Sequence, residues 1–101
     1  MIMQTFKHFR AILFCKDDCL PCTLTRDKLQ EILTDHPGYG ANITKLRQET
    51  HPSLVGAYEV DKFPTLVIVD PLGEEQGKLI GGTAIRDQLK GILFTLYSST
   101  K

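Results

Sequence analysis

The run Ala11-Ile12-Leu13-Phe14-Cys15-Lys16-Asp17-Asp18-Cys19-Leu20-Pro21-Cys22 changes character twice. Its first part, Ala11 to Cys15, is continuously apolar, the pattern of a short central strand buried on both faces, and Lys16-Asp17-Asp18 ends it. From Cys22 onward, apolar or small residues at Cys22, Thr25, Leu29, Ile32 and Leu33 keep to one helical stripe until Pro37-Gly38 stops it. A strand feeding directly into a helix is predicted, with two cysteines at the junction.

Outward from this junction, Asn42 to Leu46 alternates weakly as a second strand. His51-Pro52-Ser53 then opens a short helix through Tyr58, with proline in the first turn, where its missing N–H is no loss. Thr65-Leu66-Val67-Ile68-Val69 is the most β-prone run, closed by the turn formers of Asp70-Pro71-Leu72-Gly73. Gly77 to Ile80 follows as a partner strand, antiparallel because the connection is short. Ile85, Leu89, Ile92, Leu93 and Leu96 recur at helical spacing, with Arg86, Asp87, Gln88 and Lys90 off the stripe. The expected fold class is α/β, βαβαββα, a mixed four-stranded sheet with helices on both faces.

The chain has 101 residues and 11.4 kDa, so a single domain over residues 1–101 is expected. A composition 42% hydrophobic and 24% charged suits a soluble globular domain. Twelve Lys+Arg balance twelve Asp+Glu at a pI near 6.8, which leaves no field to attract nucleic acid or a membrane surface. Three cysteines are too few, and odd in number, for a disulfide-stapled secreted scaffold. Met1 to Arg10 carries Lys7, His8 and Arg10 ahead of an apolar run shorter than a signal-peptide core, and no stretch is long enough to span a bilayer. A cytoplasmic, soluble monomer is expected.

Two cysteines three apart at the first turn of a helix can bring their sulfurs together without backbone strain. The helix N-terminus favours a thiolate at Cys19, while Asp17 and Asp18 oppose it and Lys16 offsets them in part. The natural chemistry is attack on a disulfide by Cys19 and resolution by Cys22. Other readings of the pair are two small core residues or half a zinc site. The latter lacks a second ligand pair, since His8, His36 and His51 are scattered. Cys15, Cys19 and Cys22 also reproduce the cysteine spacing of radical S-adenosylmethionine enzymes, but this chain is too short to wrap such a cluster. Cys15 ends an apolar strand, where a free cysteine packs as a small hydrophobe. No metal or cofactor beyond a redox-active Cys19–Cys22 disulfide is expected.

From Ala11 to Leu96 the chain resembles the thioredoxin superfamily. The dithiol after the first core strand, Phe63-Pro64-Thr65 at the entry of the strong β run, Gly81 after the last strand and Ala57-Tyr58-Glu59-Val60 carry the resemblance, and their intervals fit the family. It implies a cis Pro64 packed beside the dithiol. The backbone of Phe63 would then pair with an extended substrate, with Gly81 allowing close approach, so that Phe63, Pro64, Thr65 and Gly81 are the expected substrate-binding residues. It also implies disulfide-containing protein substrates and a thioredoxin reductase or glutathione as electron source. Glutathione-dependent reduction would need cations for the tripeptide's carboxylates, for which Lys16, Lys62 and Arg86 are candidates. An interaction module with incidental redox activity is the further alternative.

The departures are specific. Asp18 stands where thioredoxins commonly carry tryptophan, and Leu13 stands where they place a buried acid. The stretch ahead of Ala11 is too short for the thioredoxin strand–helix extension, so the resemblance points to a trimmed, glutaredoxin-sized member.

Overall fold

The computed structural model describes residues 8–99, so Met1 and Lys7 of the N-terminal reading lie outside the described residues. The elements are β1 (Arg10–Cys15), α1 (Leu20–Asp35), a 3-10 helix (Pro37–Asn42), β2 (Ile43–Arg47), α2 (Pro52–Ala57), β3 (Thr65–Val69), β4 (Glu75–Ile80) and α3 (Gly82–Ser99). The sheet order is β2-β1-β3-β4. β1 pairs in parallel with β2, from Ala11 opposite Ile43 to Cys15 opposite Arg47. It pairs antiparallel with β3, from Arg10 opposite Val69 to Phe14 opposite Thr65, and β4 runs antiparallel along the far side of β3. This is the mixed βαβαββα sheet expected from the sequence.

Continuous apolarity in β1 follows from its central place, because both of its faces are covered. Ala11, Leu13 and Cys15 pack with Leu66 against Cys22, Leu29 and Ile32 of α1 and Ile85, Leu89, Leu93 and Leu96 of α3. On the opposite face Phe14 joins Val67 and Val69 beneath Val55 of α2 and Val60. Burying each large apolar side chain in such a core contributes roughly 1.5–3 kcal/mol. α1 and α3 therefore share one face, which sets the start of α3 beside the start of α1.

Three boundaries differ from expectation, each for a local reason. α1 stops at Asp35 rather than running to Pro37, which opens the 3-10 helix; this tight turn takes Asn42, so β2 begins one residue later at Ile43. α2 ends at Ala57, and Tyr58 caps it by donating its N–H to Leu54 O at 3.0 Å. β4 begins at Glu75 instead of Gly77 because a bulge between Ile68 and Val69 shifts the register and pairs Val69 with Glu75. Edge pairing of this kind uses backbone groups and leaves no apolar period in the sequence.

The β3–β4 turn is held by Asp70, whose carboxylate accepts the N–H groups of Leu72 and Glu74, both at 2.9 Å, and Gln76 Nε2 at 3.0 Å. The backbone bond from Glu74 is the foremost cause holding its carboxyl below the ordinary range. A depressed acid supports the fold above its unfolded value, and that support disappears as pH falls through the depressed one.

Candidate active site

Cys19 is the N-cap of α1, in extended backbone at φ −131° and ψ 103°, and its Sγ accepts the Cys22 N–H at 3.2 Å. Pro21 lies within the first turn and carries no N–H, so the bond from Cys22 is what the helix start offers this sulfur. Cys19 and Cys22 are disulfide-bonded, with Cα atoms 5.2 Å apart. The two sulfurs belong to unequal environments. Cys19 is half-buried, while Cys22 is fully buried among Leu13, Cys15, Leu66 and Ile85.

The Phe63-Pro64-Thr65 segment and Gly81 meet the dithiol at the same end of the sheet. Cys19 Sγ lies 3.8 Å from the Phe63 carbonyl oxygen, to which a thiol there would donate. The Phe63–Pro64 peptide bond is cis, and Pro64 is buried. Gly81 donates its N–H to the Pro64 carbonyl at 2.9 Å. Its φ of +96° is glycine territory, and the space a Cβ would occupy is open. Thr65 is 1% exposed, and its hydroxyl donates to Lys62 O at 2.7 Å, so its side chain supports the segment from inside.

The charges around the pair are arranged less simply than their order suggests. Asp17 is turned toward β2, where Arg47 Nη1 donates to its carboxylate at 2.7 Å, and its N–H donates to Glu49 at 3.0 Å. Part of the opposition expected at Cys19 is thereby countered by Arg47. Lys16 Nζ stands 5.8 Å from the Phe63 ring centroid. Of the cations considered for glutathione carboxylates, Lys62 is exposed, but Arg86 is turned inward onto α1, donating to Thr25 Oγ1 at 3.3 Å.

Cys15 is 2% exposed and lines a cleft of about 250 Å³ with Asp17, Arg26, Lys45, Leu46 and Arg47. Burial pushes its thiol up, opposed by a hydrogen bond from Arg26 and by the charges of Arg26 and Lys45. A protonated, covered thiol is a poor nucleophile. Cys15→Ala is accordingly expected to keep turnover within about twofold of the parent while losing about 1 kcal/mol of stability, read from steady-state assays and urea unfolding. Among the described residues, no group of three or more His, Cys, Asp or Glu could hold a metal ion. His36 stacks on Tyr39 at 4.7 Å, and His51 Nδ1 lies 2.9 Å from Thr50 Oγ1.

Sequence patterning placed Thr25 on the apolar stripe and left Arg86 off it, without linking them. A hydroxyl at a stripe position was the available signal, since a buried one needs partners.

No family model matches the chain. Over 63 residues it is 36% identical to a thioredoxin of Staphylococcus saprophyticus, a match covering 62% of this chain and 59% of the relative. A thioredoxin of Staphylococcus aureus is 35% identical over the same length. The chain thus spans 59% of the length of the curated relatives it matches. Among solved structures, the thioredoxin of Malassezia sympodialis superposes with a TM-score of 0.71 at 18% identity, over 90% of this chain and 76% of that one. Oxidised mitochondrial thioredoxin 3 of Saccharomyces cerevisiae gives 0.66 at 22% identity, over 89% and 80%. The fold is that of the thioredoxins.

Proposed function

We propose that this chain is a member of the thioredoxin superfamily and a thiol–disulfide oxidoreductase that reduces protein disulfides through Cys19 and Cys22. The observation that carries the reading is the asymmetry of the pair: an accessible sulfur at a helix N-cap, bonded to a fully buried one. In the reduced protein the Cys19 thiolate attacks one sulfur of a substrate disulfide, and the other substrate sulfur leaves as a thiolate. Cys22, once deprotonated, attacks Cys19 Sγ and expels the remaining substrate thiolate. Two electrons pass to the substrate, and the chain is left with the Cys19–Cys22 disulfide. An external reductant, a thioredoxin reductase or two molecules of glutathione that leave as glutathione disulfide, returns it to the reduced form.

In this reading Phe63, Pro64, Thr65 and Gly81 shape the docking groove. The Phe63 carbonyl near Cys19 is placed to accept from an extended substrate backbone, and Gly81 leaves room for that backbone. Exposed Leu20 and Ile80 offer an apolar rim to a protein substrate. The protein works as a cytoplasmic monomer of one domain with no cofactor besides its dithiol. No helix among the described residues is long and apolar enough to cross a membrane.

Insulin-disulfide reduction, coupled in parallel to thioredoxin reductase and to glutathione with its reductase, tests the reading. Turnover well above background is expected with at least one electron source. Absence of turnover with both would leave the interaction module as the better account.

A further inference from the structure

Thr25 is fully buried on α1, on the same face as Cys22 and one turn beyond it. Its Oγ1 donates to the Pro21 carbonyl at 2.8 Å and accepts from Arg86 Nη1 at 3.3 Å. The same arginine nitrogen lies 3.5 Å from Pro21 O. Arg86 reaches this position from α3 across Gly82. A Cβ on Gly82 would lie 2.6 Å from Arg86 Nη1, 3.2 Å from Pro21 Cβ and 3.3 Å from Thr25 Oγ1. Glycine at the start of α3 therefore leaves the space that the guanidinium occupies. A permanent positive charge is fixed against the first turn of the dithiol helix, on the carbonyl of the residue that precedes Cys22.

We propose that Arg86 is a positioning residue for the resolving cysteine, its guanidinium held by Thr25 and Pro21 so that its charge favours the thiolate of buried Cys22. The inference rests on Cys22 being the resolving sulfur. Burial by itself disfavours a thiolate, and the core cluster that holds Cys22 is apolar, with Leu13, Leu66, Ile85 and the Cys15 thiol among its members. The other charges at this end of the molecule are committed elsewhere. Arg26 donates to Thr23 Oγ1 at 3.4 Å and lines the Cys15 cleft with Lys45, Lys16 stands over Phe63, and Asp17 pairs with Arg47. Asp18, next to Cys19, is exposed. Arg86 is the charge that α3 brings to the turn of Cys22 itself. It would aid the thiolate twice: as the nucleophile that resolves the mixed disulfide, and as the leaving group when the oxidised pair is reduced.

The direct test is a pH titration of the Cys22 13Cβ resonance in the reduced protein, for the parent, Arg86→Gln and Arg86→Lys. Loss of the charge is expected to raise the midpoint by about 0.5–1 pH unit, a roughly three- to tenfold change in proton affinity. Arg86→Lys, which keeps the charge, is expected to fall closer to the parent. Thr25→Val, which removes the hydroxyl anchor but not the charge, gives an intermediate shift and serves if Arg86→Gln does not fold. Midpoints within about 0.2 unit across the folded variants, or a shift equally large in Arg86→Lys, would overturn the proposal. Insulin reduction by the parent is scored separately, because failed turnover beside the expected titrations would sink the enzymatic reading and leave the electrostatic one standing.

Discussion

Cys19→Ser is expected to lower disulfide reduction by about a thousandfold or more, because a serine hydroxyl neither ionises near neutral pH nor exchanges with disulfide sulfur. Cys22→Ser is expected to behave differently. Its half-buried Cys19 can still attack, but nothing remains to expel the substrate, so a covalent adduct should accumulate at one equivalent per chain. Non-reducing electrophoresis with an oxidised protein substrate distinguishes the two variants. If Cys19→Ser captured substrate and Cys22→Ser did not, the roles assigned from the N-cap geometry would be reversed. Circular dichroism of each variant separates lost chemistry from lost folding, since Cys19→Ser alters one bond from the Cys22 N–H and Cys22→Ser places a hydroxyl in the apolar core.

The second large effect is expected in the pH dependence of resolution. Leu13 is fully exposed to the core and not at all to solvent, on β1 in the same cluster as Cys22, and it offers no base. Resolution then depends on the fraction of Cys22 already ionised. Its rate should climb about tenfold per pH unit below the Cys22 midpoint and level off above it, since an unperturbed thiol titrates near about 8.5. Stopped-flow decay of a preformed Cys19 mixed disulfide between about pH 6 and 8.5 reads this directly. A fast, flat profile would show that another base serves Cys22 or that its thiol ionises well below that range. Arg86→Gln should move the whole profile to higher pH without changing its plateau. Installing an acid by Leu13→Asp is a poorer test, because burying a carboxyl there costs a few kcal/mol and desolvation keeps it protonated.

What could be read from the sequence was local. Ala11 to Cys15 announced a central strand because a strand covered on both faces has no polar side to alternate, and the stripe through Cys22, Thr25, Leu29 and Ile32 announced the helix that follows. The dithiol's place at the junction of the two was legible for the same reason. The extra length of β4 was not, since Glu75 joins the sheet through backbone pairing at an edge, and its side chain is exposed. Nor was the 3-10 helix at Pro37–Asn42, where burial of Tyr39 between His36 and Tyr97 comes from partners distant in sequence or in an irregular turn. Charge was hardest to read. Asp17 looked like a neighbour of Cys19 and is bonded to Arg47, while Arg86 looked like a solvated residue and lies against Thr25. Such pairings are decided by how the elements pack, and no spacing along the chain encodes them.

The central claim is that Cys19 is the attacking sulfur, and the most direct measurement is the order in which the three thiols of the reduced protein react with iodoacetamide near neutral pH, mapped by mass spectrometry of quenched peptides. The N-cap position, the N–H of Cys22 directed at the sulfur and partial exposure predict that Cys19 is labelled first, with Cys22 and Cys15 following much more slowly from their buried sites. Labelling of Cys22 or Cys15 well before Cys19 would contradict the account.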